Sequence, residues 1–62
     1  MIRVLVADDQ ALVRGALAAM LGLEADIEVV AQVSAGDEIV DTALVSRPDV
    51  ALLDIELPGM SG

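Results

Sequence analysis

Three short apolar segments, separated by two longer amphipathic ones, constrain the fold of this chain more than any other feature. The short segments are residues 2–7, 27–33 and 49–53, and the first is apolar at nearly every position, which is typical of a strand covered on both faces. Residues 10–21 and 35–46 carry apolar residues at three- and four-residue spacings, which predicts two helices. Strand, helix, strand, helix, strand is the alternation that produces a parallel sheet with right-handed crossovers.

Individual residues predict where these elements end and which faces are buried. Gly22 is expected to end the first helix in a left-handed conformation, Ser34 to cap the second helix, and Pro48 to stop it. Arg14 is expected to be a solvated helix residue. The residues expected to face the core are Leu12, Val13, Ala16, Leu17, Met20 and Leu21 in the first helix and Ile39, Val40, Ala43 and Leu44 in the second.

The size of the chain limits the core that it can form. A chain of 62 residues is shorter than most domains, and one of this size buries only about 60% of its unfolded surface. Hydrophobic residues make up 56% of it and none is aromatic, so the core must consist of aliphatic side chains. No repeat or linker-like stretch appears, which indicates one unit over residues 1–62, either half of a domain or a marginally stable one.

Charge and hydropathy exclude several function classes. The longest apolar runs are far below the roughly 20 residues of a membrane-spanning helix, and the N-terminus lacks a signal segment, so we expect a soluble, cytoplasmic protein. The formal net charge is −8, which repels nucleic acids and anionic membranes and predicts that these residues do not bind DNA themselves.

Aspartates follow two of the three predicted strands. Asp8 and Asp9 come directly after the first, and Asp54 follows the third. If the first strand lies between the other two, these carboxylates meet at one edge of the sheet, where open parallel sheets bind ligands. Two such charges about 5 Å apart repel by roughly 3 kcal/mol at an effective dielectric constant near 20, which favours a bound divalent cation. Because the sequence has no Cys or His, only oxygen ligands are possible, which favours magnesium.

Each of these aspartates also has a simpler interpretation. Asp8 and Asp9 stand at a strand-to-helix junction, where aspartate is a common helix cap. Asp54 precedes Pro58 and Gly59 and could be an ordinary turn residue. The coincidence of all three at predicted strand ends favours the metal site over these alternatives.

The segments VADDQ and RPDVALLDIELPGMSG, with the spacing between them, resemble the N-terminal half of a two-component response-regulator receiver domain. The similarity is greatest to the NarL/FixJ class. It implies a flavodoxin-like, three-layer α/β/α fold with strand order 2-1-3, of which residues 1–62 would supply the first five elements of a five-fold βα repeat.

The resemblance also implies roles for four residues. Asp54 would be the phosphoacceptor, and Asp8 and Asp9 would bind Mg²⁺, Asp9 directly and Asp8 mostly through water, with the backbone carbonyl of Glu56 as a further ligand. A sensor histidine kinase or a small acyl phosphate would supply the phosphoryl group. The chain would then be a signalling domain and not an enzyme, and DNA would be bound by a C-terminal helix-turn-helix domain outside this chain.

Two residues of that family have no counterpart here. Its members use a Ser or Thr after the fourth strand and a Lys after the fifth, and this sequence ends before both and contains no Lys. An uncovered third strand would invite pairing with another chain. We therefore expect a truncated chain, a homodimer or one half of an exchanged dimer.

Three other hypotheses stay open. A magnesium-dependent phosphohydrolase would also use a strand-end nucleophile such as Asp54, but the haloacid-dehalogenase type has a second Asp where this chain has Glu56. A Rossmann-type nucleotide site needs several glycines after the first strand, and only Gly15 is available. A degenerate receiver that only binds proteins would have the same sequence pattern but would not respond to magnesium.

Overall fold

The computed structural model describes residues 1–53, which form a parallel three-stranded sheet and two α-helices. In chain order the elements are β1 (Ile2–Ala7), α1 (Ala11–Gly22), β2 (Ile27–Val33), a short 3-10 helix (Gly36–Glu38), α2 (Ile39–Ser46) and β3 (Val50–Leu53). The strand order is β2-β1-β3. The predicted α/β class, element order and strand order 2-1-3 are therefore confirmed.

The central strand β1 pairs with both neighbours in parallel. Ile2 pairs with Ile27 at the start of β2, and a register shift between Val4 and Leu5 follows. Ala7, the last residue of β1, lies opposite Val33 on one side and Leu53 on the other. The carboxyl ends of all three strands therefore share one edge of the sheet.

The core is centred on β1. Its buried hydrophobic residues are Val4, Leu5, Val6, Ala7 and Val33. Ile39 and Ala43 of α2 pack against the cluster that contains Leu5 and Ala7. Because β2 and β3 flank β1 on opposite sides, right-handed crossovers place α1 and α2 on opposite faces of the sheet. This three-layer arrangement explains why β1 is apolar on both faces.

Helix α1 presents a different face to the sheet from the one expected. Leu17 and Leu21 are half-buried as predicted. The other four residues expected to face the core are exposed, Leu12 by 86% and Met20 by 65%, so that expectation is wrong for Leu12, Val13, Ala16 and Met20. The half-buried positions of the helix are Arg14, Leu17, Ala18 and Leu21. Since the helix is apolar nearly all round, its periodicity alone could not fix its rotation.

Helix α2 repeats this pattern on the other face of the sheet. Ile39 and Ala43 pack against the core as predicted, whereas Val40 and Leu44 are exposed, contrary to expectation. Residues four apart lie on one side of a helix, so Ile39 with Ala43 and Val40 with Leu44 form adjacent rows. Within residues 1–53 only the first row meets the sheet.

Two predicted helix ends are wrong in detail. α1 ends without a left-handed glycine, because Leu23 continues in a right-handed conformation and its N–H donates to the Met20 carbonyl oxygen at 3.3 Å. Ser34 does not cap α2, because a 3-10 helix precedes it and no side chain caps either segment. The stop at Pro48 is confirmed, and Arg47 before it adopts a left-handed conformation with φ 51°.

The opposite edge of the sheet is organised by Arg3. Its guanidinium donates through Nη2 to the Ser46 carbonyl oxygen at 2.6 Å and through Nε to the Arg47 carbonyl oxygen at 3.3 Å. These carbonyls belong to the end of α2, which would otherwise lack donors. Of the α-helices in residues 1–53, neither α1 nor α2 is long and apolar enough to cross a bilayer.

A candidate metal site at the carboxyl edge of the sheet

Asp8 is the last residue fixed by the pairing of β1. It follows Ala7, and its N–H donates to the Val33 carbonyl oxygen at 3.0 Å, which extends the contact with β2 by one residue. Asp8 is only 7% exposed, and it is the buried charged residue of the part of the chain that the structure describes. A buried carboxylate needs hydrogen-bond partners or a cation, because loss of hydration is costly for a charge.

One carboxylate oxygen of Asp8 has a structural role. Its Oδ1 accepts a hydrogen bond from the Gln10 N–H at 2.9 Å, an Asx-type turn that leads into α1. The first helical hydrogen bond follows, from the Arg14 N–H to the Gln10 carbonyl oxygen at 2.9 Å. Asp8 is not the helix cap of the alternative interpretation, because Gln10 occupies the N-cap position of α1 and no side chain caps the helix. The second carboxylate oxygen of Asp8, Oδ2, has no hydrogen bond within residues 1–53.

Asp9 differs from its neighbour in exposure. It is exposed, and its side chain makes no hydrogen bond to any other described residue. A carboxylate in this position can bind a cation without first breaking a protein contact. The adjacent acids therefore combine one anchored carboxylate, that of Asp8, with one that is open to solvent.

Asp54 and Glu56, the other predicted site residues, lie outside the described residues. The strand that leads to Asp54 is described, and its last residue, Leu53, pairs with Ala7. In sequence Asp8 follows Ala7 and Asp54 follows Leu53, so paired residues at the ends of β1 and β3 each precede an aspartate. Within residues 1–53, no three acidic side chains come together as a metal site.

A cleft of about 230 Å³ opens beside Asp8. Its walls come from the ends of β1 and β3 and from α1, and they consist of Ala7, Asp8, Leu17, Leu52 and Leu53. Four of the five lining residues are apolar, so the carboxylate of Asp8 is the polar group in the wall of an otherwise apolar cleft.

The donor chemistry of this edge fits magnesium. Asp8 and Asp9 offer carboxylate oxygens, and the sequence has no Cys or His that would favour a softer metal. Two carboxylates with water completing the coordination sphere is a common arrangement for Mg²⁺. The described residues thus provide part of a site, and the assignment of Asp54 and Glu56 to it stays a prediction.

The contact of Arg14 with the acidic edge was not predicted from the sequence. Arg14 was expected to be solvated, yet it is half-buried and its Nη1 donates to the Asp8 carbonyl oxygen at 2.8 Å. The available signal was its position as the only charged residue in an otherwise apolar helix, six residues after Asp8. A charge there on the sheet-facing side requires a local partner.

Comparison with known proteins identifies the family. The sequence profile of the response regulator receiver domain matches residues 4–62. Over all 62 residues the chain is 48% identical to the transcriptional regulatory protein LiaR and 44% identical to the transcriptional regulatory protein DesR, both of Bacillus subtilis. It is also 41% identical, over 98% of its length, to a protein-glutamate methylesterase/protein-glutamine glutaminase of Bradyrhizobium diazoefficiens.

The matches cover nearly the whole of this chain but less than a third of each relative. The chain spans 29% of LiaR, 31% of DesR and 15% of the methylesterase. With the confirmed strand order and the match over nearly all of its residues, the chain belongs to the response regulator receiver domain family.

Proposed function

We propose that this chain is the phosphoacceptor part of a response regulator that controls transcription, with Asp54 as the acceptor. The observation that supports this most directly is the pairing of Ala7 with Leu53, since an aspartate follows each of them in sequence. Strand ends that pair in parallel bring the residues after them to the same edge of a sheet. Asp54 would therefore act beside Asp8 and Asp9.

Magnesium would be bound by Asp8, Asp9, Asp54 and the backbone carbonyl of Glu56. The exposure of Asp9 supports direct contact with the metal, and the hydrogen bond from Gln10 to Asp8 leaves one Asp8 oxygen for a bound water. When bound, the ion would neutralise negative charge on the phosphoryl group. The chain itself would supply the nucleophile and its alignment.

The transfer would exchange one bond for another. A carboxylate oxygen of Asp54 would attack the phosphorus of a kinase phosphohistidine, the bond between phosphorus and the histidine nitrogen would break, and an aspartyl phosphate would form. An acyl phosphate could donate in the same way, with its carboxylate as leaving group. The product adds negative charge to an edge where Asp8 and Asp9 already lie, which is the kind of change that drives a signalling switch.

The partners follow from this function. A sensor histidine kinase would donate the phosphoryl group in the cytoplasm, and DNA would be bound by a C-terminal domain outside residues 1–62, because the net charge of −8 opposes contact with nucleic acid here. LiaR and DesR are named as transcriptional regulatory proteins, which supports a role in transcription. We propose that residues 1–62 are the N-terminal half of the receiver domain. Dimerisation, either as a homodimer or by exchange of elements, stays a prediction, which the molecular mass of the protein in solution tests.

The test is phosphorylation of the protein expressed from its complete gene. Wild type, Asp54→Asn and the matched control Asp41→Asn, which changes an exposed aspartate of α2, are incubated with acetyl phosphate and Mg²⁺, and their intact masses are measured. We expect one phosphoryl group on wild type and on the control and none on Asp54→Asn. Equal labelling of Asp54→Asn would overturn the assignment.

The same reaction separates the alternatives. A phosphohydrolase would release many phosphates per chain without accumulating label, whereas a receiver accumulates a single stoichiometric label. A degenerate receiver that only binds proteins would show neither label nor Mg²⁺ binding.

A further inference from the structure

Arg14 contacts the acidic edge through the backbone and not through a carboxylate. Its Nη1 donates to the Asp8 carbonyl oxygen at 2.8 Å in a half-buried contact. Two other polar groups of Asp8 are also bonded: its N–H donates to the Val33 carbonyl oxygen, and its Oδ1 accepts from the Gln10 N–H. Arg14 therefore adds a third contact that fixes Asp8. Its acceptor, the Asp8 carbonyl oxygen, belongs to the peptide bond between Asp8 and Asp9.

That peptide bond controls the direction of Asp9. The Asp8 carbonyl and the Asp9 N–H belong to one planar unit, so a donor that fixes the carbonyl also fixes the orientation of the Asp9 amide. The Asp9 side chain has no hydrogen bond of its own to residues 1–53, so its direction depends on this backbone. Loss of the Arg14 contact would let the unit rotate.

The position of Arg14 in the charge pattern of the chain is also distinctive. The sequence contains three basic residues, and the other two, Arg3 and Arg47, meet at the opposite edge, where the Arg3 guanidinium donates to the Arg47 carbonyl oxygen. A guanidinium near the acidic edge repels a divalent cation. If Arg14 acted through charge alone, its removal would strengthen magnesium binding, whereas if it acts through the Asp8 carbonyl, its removal would weaken binding.

We propose that Arg14 is a positioning residue for magnesium binding, which holds the Asp8–Asp9 peptide so that Asp9 faces the metal. This inference rests on the proposed function of the acidic pair. Groups that orient metal ligands typically change metal affinity by about 10–100-fold when they are removed. Arg14→Ala is therefore expected to weaken Mg²⁺ binding about 10-fold. Arg14→Lys keeps a cationic donor and should recover most of that loss.

The experiment measures Mg²⁺ affinity by isothermal titration calorimetry on the protein expressed from its complete gene. Wild type is compared with Arg14→Ala, Arg14→Lys and the control Arg47→Gln, which removes a cation from the opposite edge. A second measurement, without metal, is the ¹⁵N relaxation order parameter of the Asp9 amide. We expect it to fall in Arg14→Ala from about 0.85, typical of a rigid backbone, toward about 0.6, with no such change in Arg47→Gln.

The outcomes are distinct. Weaker Mg²⁺ binding and a more mobile Asp9 amide in Arg14→Ala, with recovery in Arg14→Lys, support the inference. Unchanged or tighter binding in Arg14→Ala, in a protein whose wild type binds Mg²⁺, overturns the inference but leaves the proposed function intact. If wild type itself does not bind Mg²⁺, the proposed metal site fails and the role of Arg14 fails with it.

Discussion

Arg3 and Asp49 exchange two hydrogen bonds at the amino ends of β1 and β3. The Arg3 N–H donates to Oδ2 of Asp49 at 2.9 Å, and the Asp49 N–H donates to the Arg3 carbonyl oxygen at 2.7 Å. This exchange fixes how β3 enters the sheet, four residues before Leu53 pairs with Ala7. Because side chains alternate between the two faces of a strand, a register slip of one residue here would turn every later residue of β3 to the opposite face of the sheet.

The side chain of Asp49 is expected to stabilise the fold through this contact. Asp49→Ala should lower the free energy of unfolding by about 1 kcal/mol, the usual net value of one hydrogen bond. Asp49→Asn keeps a carbonyl oxygen and should lose less. Urea denaturation of both variants measures the difference, and equal losses would show that the charge of Asp49 matters more than its hydrogen bond.

The guanidinium of Arg3 is expected to stabilise the end of α2. Arg3→Lys should cost about 1 kcal/mol, because an ammonium group cannot reproduce two donors in a fixed geometry toward the Ser46 and Arg47 carbonyls. Hydrogen exchange should accelerate at the Arg47 amide, which donates to the Ala43 carbonyl oxygen. Glu28→Gln is the control, since Glu28 lies 3.8 Å from Arg3 in a pair that is about half exposed. If Glu28→Gln cost as much as Arg3→Lys, the ion pair would be the important contact.

Arg47 is strained by its left-handed backbone. With φ at 51°, a residue that has a Cβ costs roughly 1–2 kcal/mol, and glycine avoids this cost while losing more entropy on folding. Arg47→Gly should therefore stabilise the protein by about 0.5–1 kcal/mol. Arg47→Val should destabilise it, because a β-branched residue fits this region poorly. Thermal unfolding ranks the variants, and a glycine variant no more stable than wild type would contradict the assigned conformation.

Leu5 is expected to contribute far more to stability than a leucine in the loop after α1. Leu5 is fully buried and Leu23 is 85% exposed, so the same substitution can be compared at both positions. Leu5→Ala should cost about 2–5 kcal/mol. Leu23→Ala should change stability by about 0.5 kcal/mol or less. Chemical denaturation checks both values, and a large loss at Leu23 would show that a contact outside residues 1–53 covers it.

Substitutions of Asp8 and Asp9 are expected to change the free energy of unfolding by different amounts when metal is absent. Asp8→Ala leaves the Gln10 N–H without its acceptor and should cost about 1 kcal/mol, whereas Asp8→Asn keeps the acceptor and should cost less. Asp9→Asn should leave stability within about 0.5 kcal/mol of wild type, because the side chain is exposed. Unfolding in a chelating buffer tests stability, and titration with Mg²⁺ should then show weaker binding for Asp9→Asn.

The sequence by itself determined the element order, the parallel sheet and the family. The apolar run of β1 and the β-branched run of β2 were predicted with their observed bounds, because buried parallel strands require apolar residues on both faces. The acidic pair was also evident from sequence, since Asp8 and Asp9 end an apolar strand at the edge where such sheets bind ligands.

Tertiary structure decided what local pattern leaves ambiguous. An almost wholly apolar helix has no polar face to define its rotation, so only contact with the sheet turned Leu17 inward and Met20 outward. The same rotation placed Arg14 against the carbonyl of Asp8, which no spacing rule predicts. The division of the acidic pair into a buried Asp8 and an exposed Asp9 likewise arose from the pairing of β1 with β2, because burial depends on neighbours that are distant in sequence.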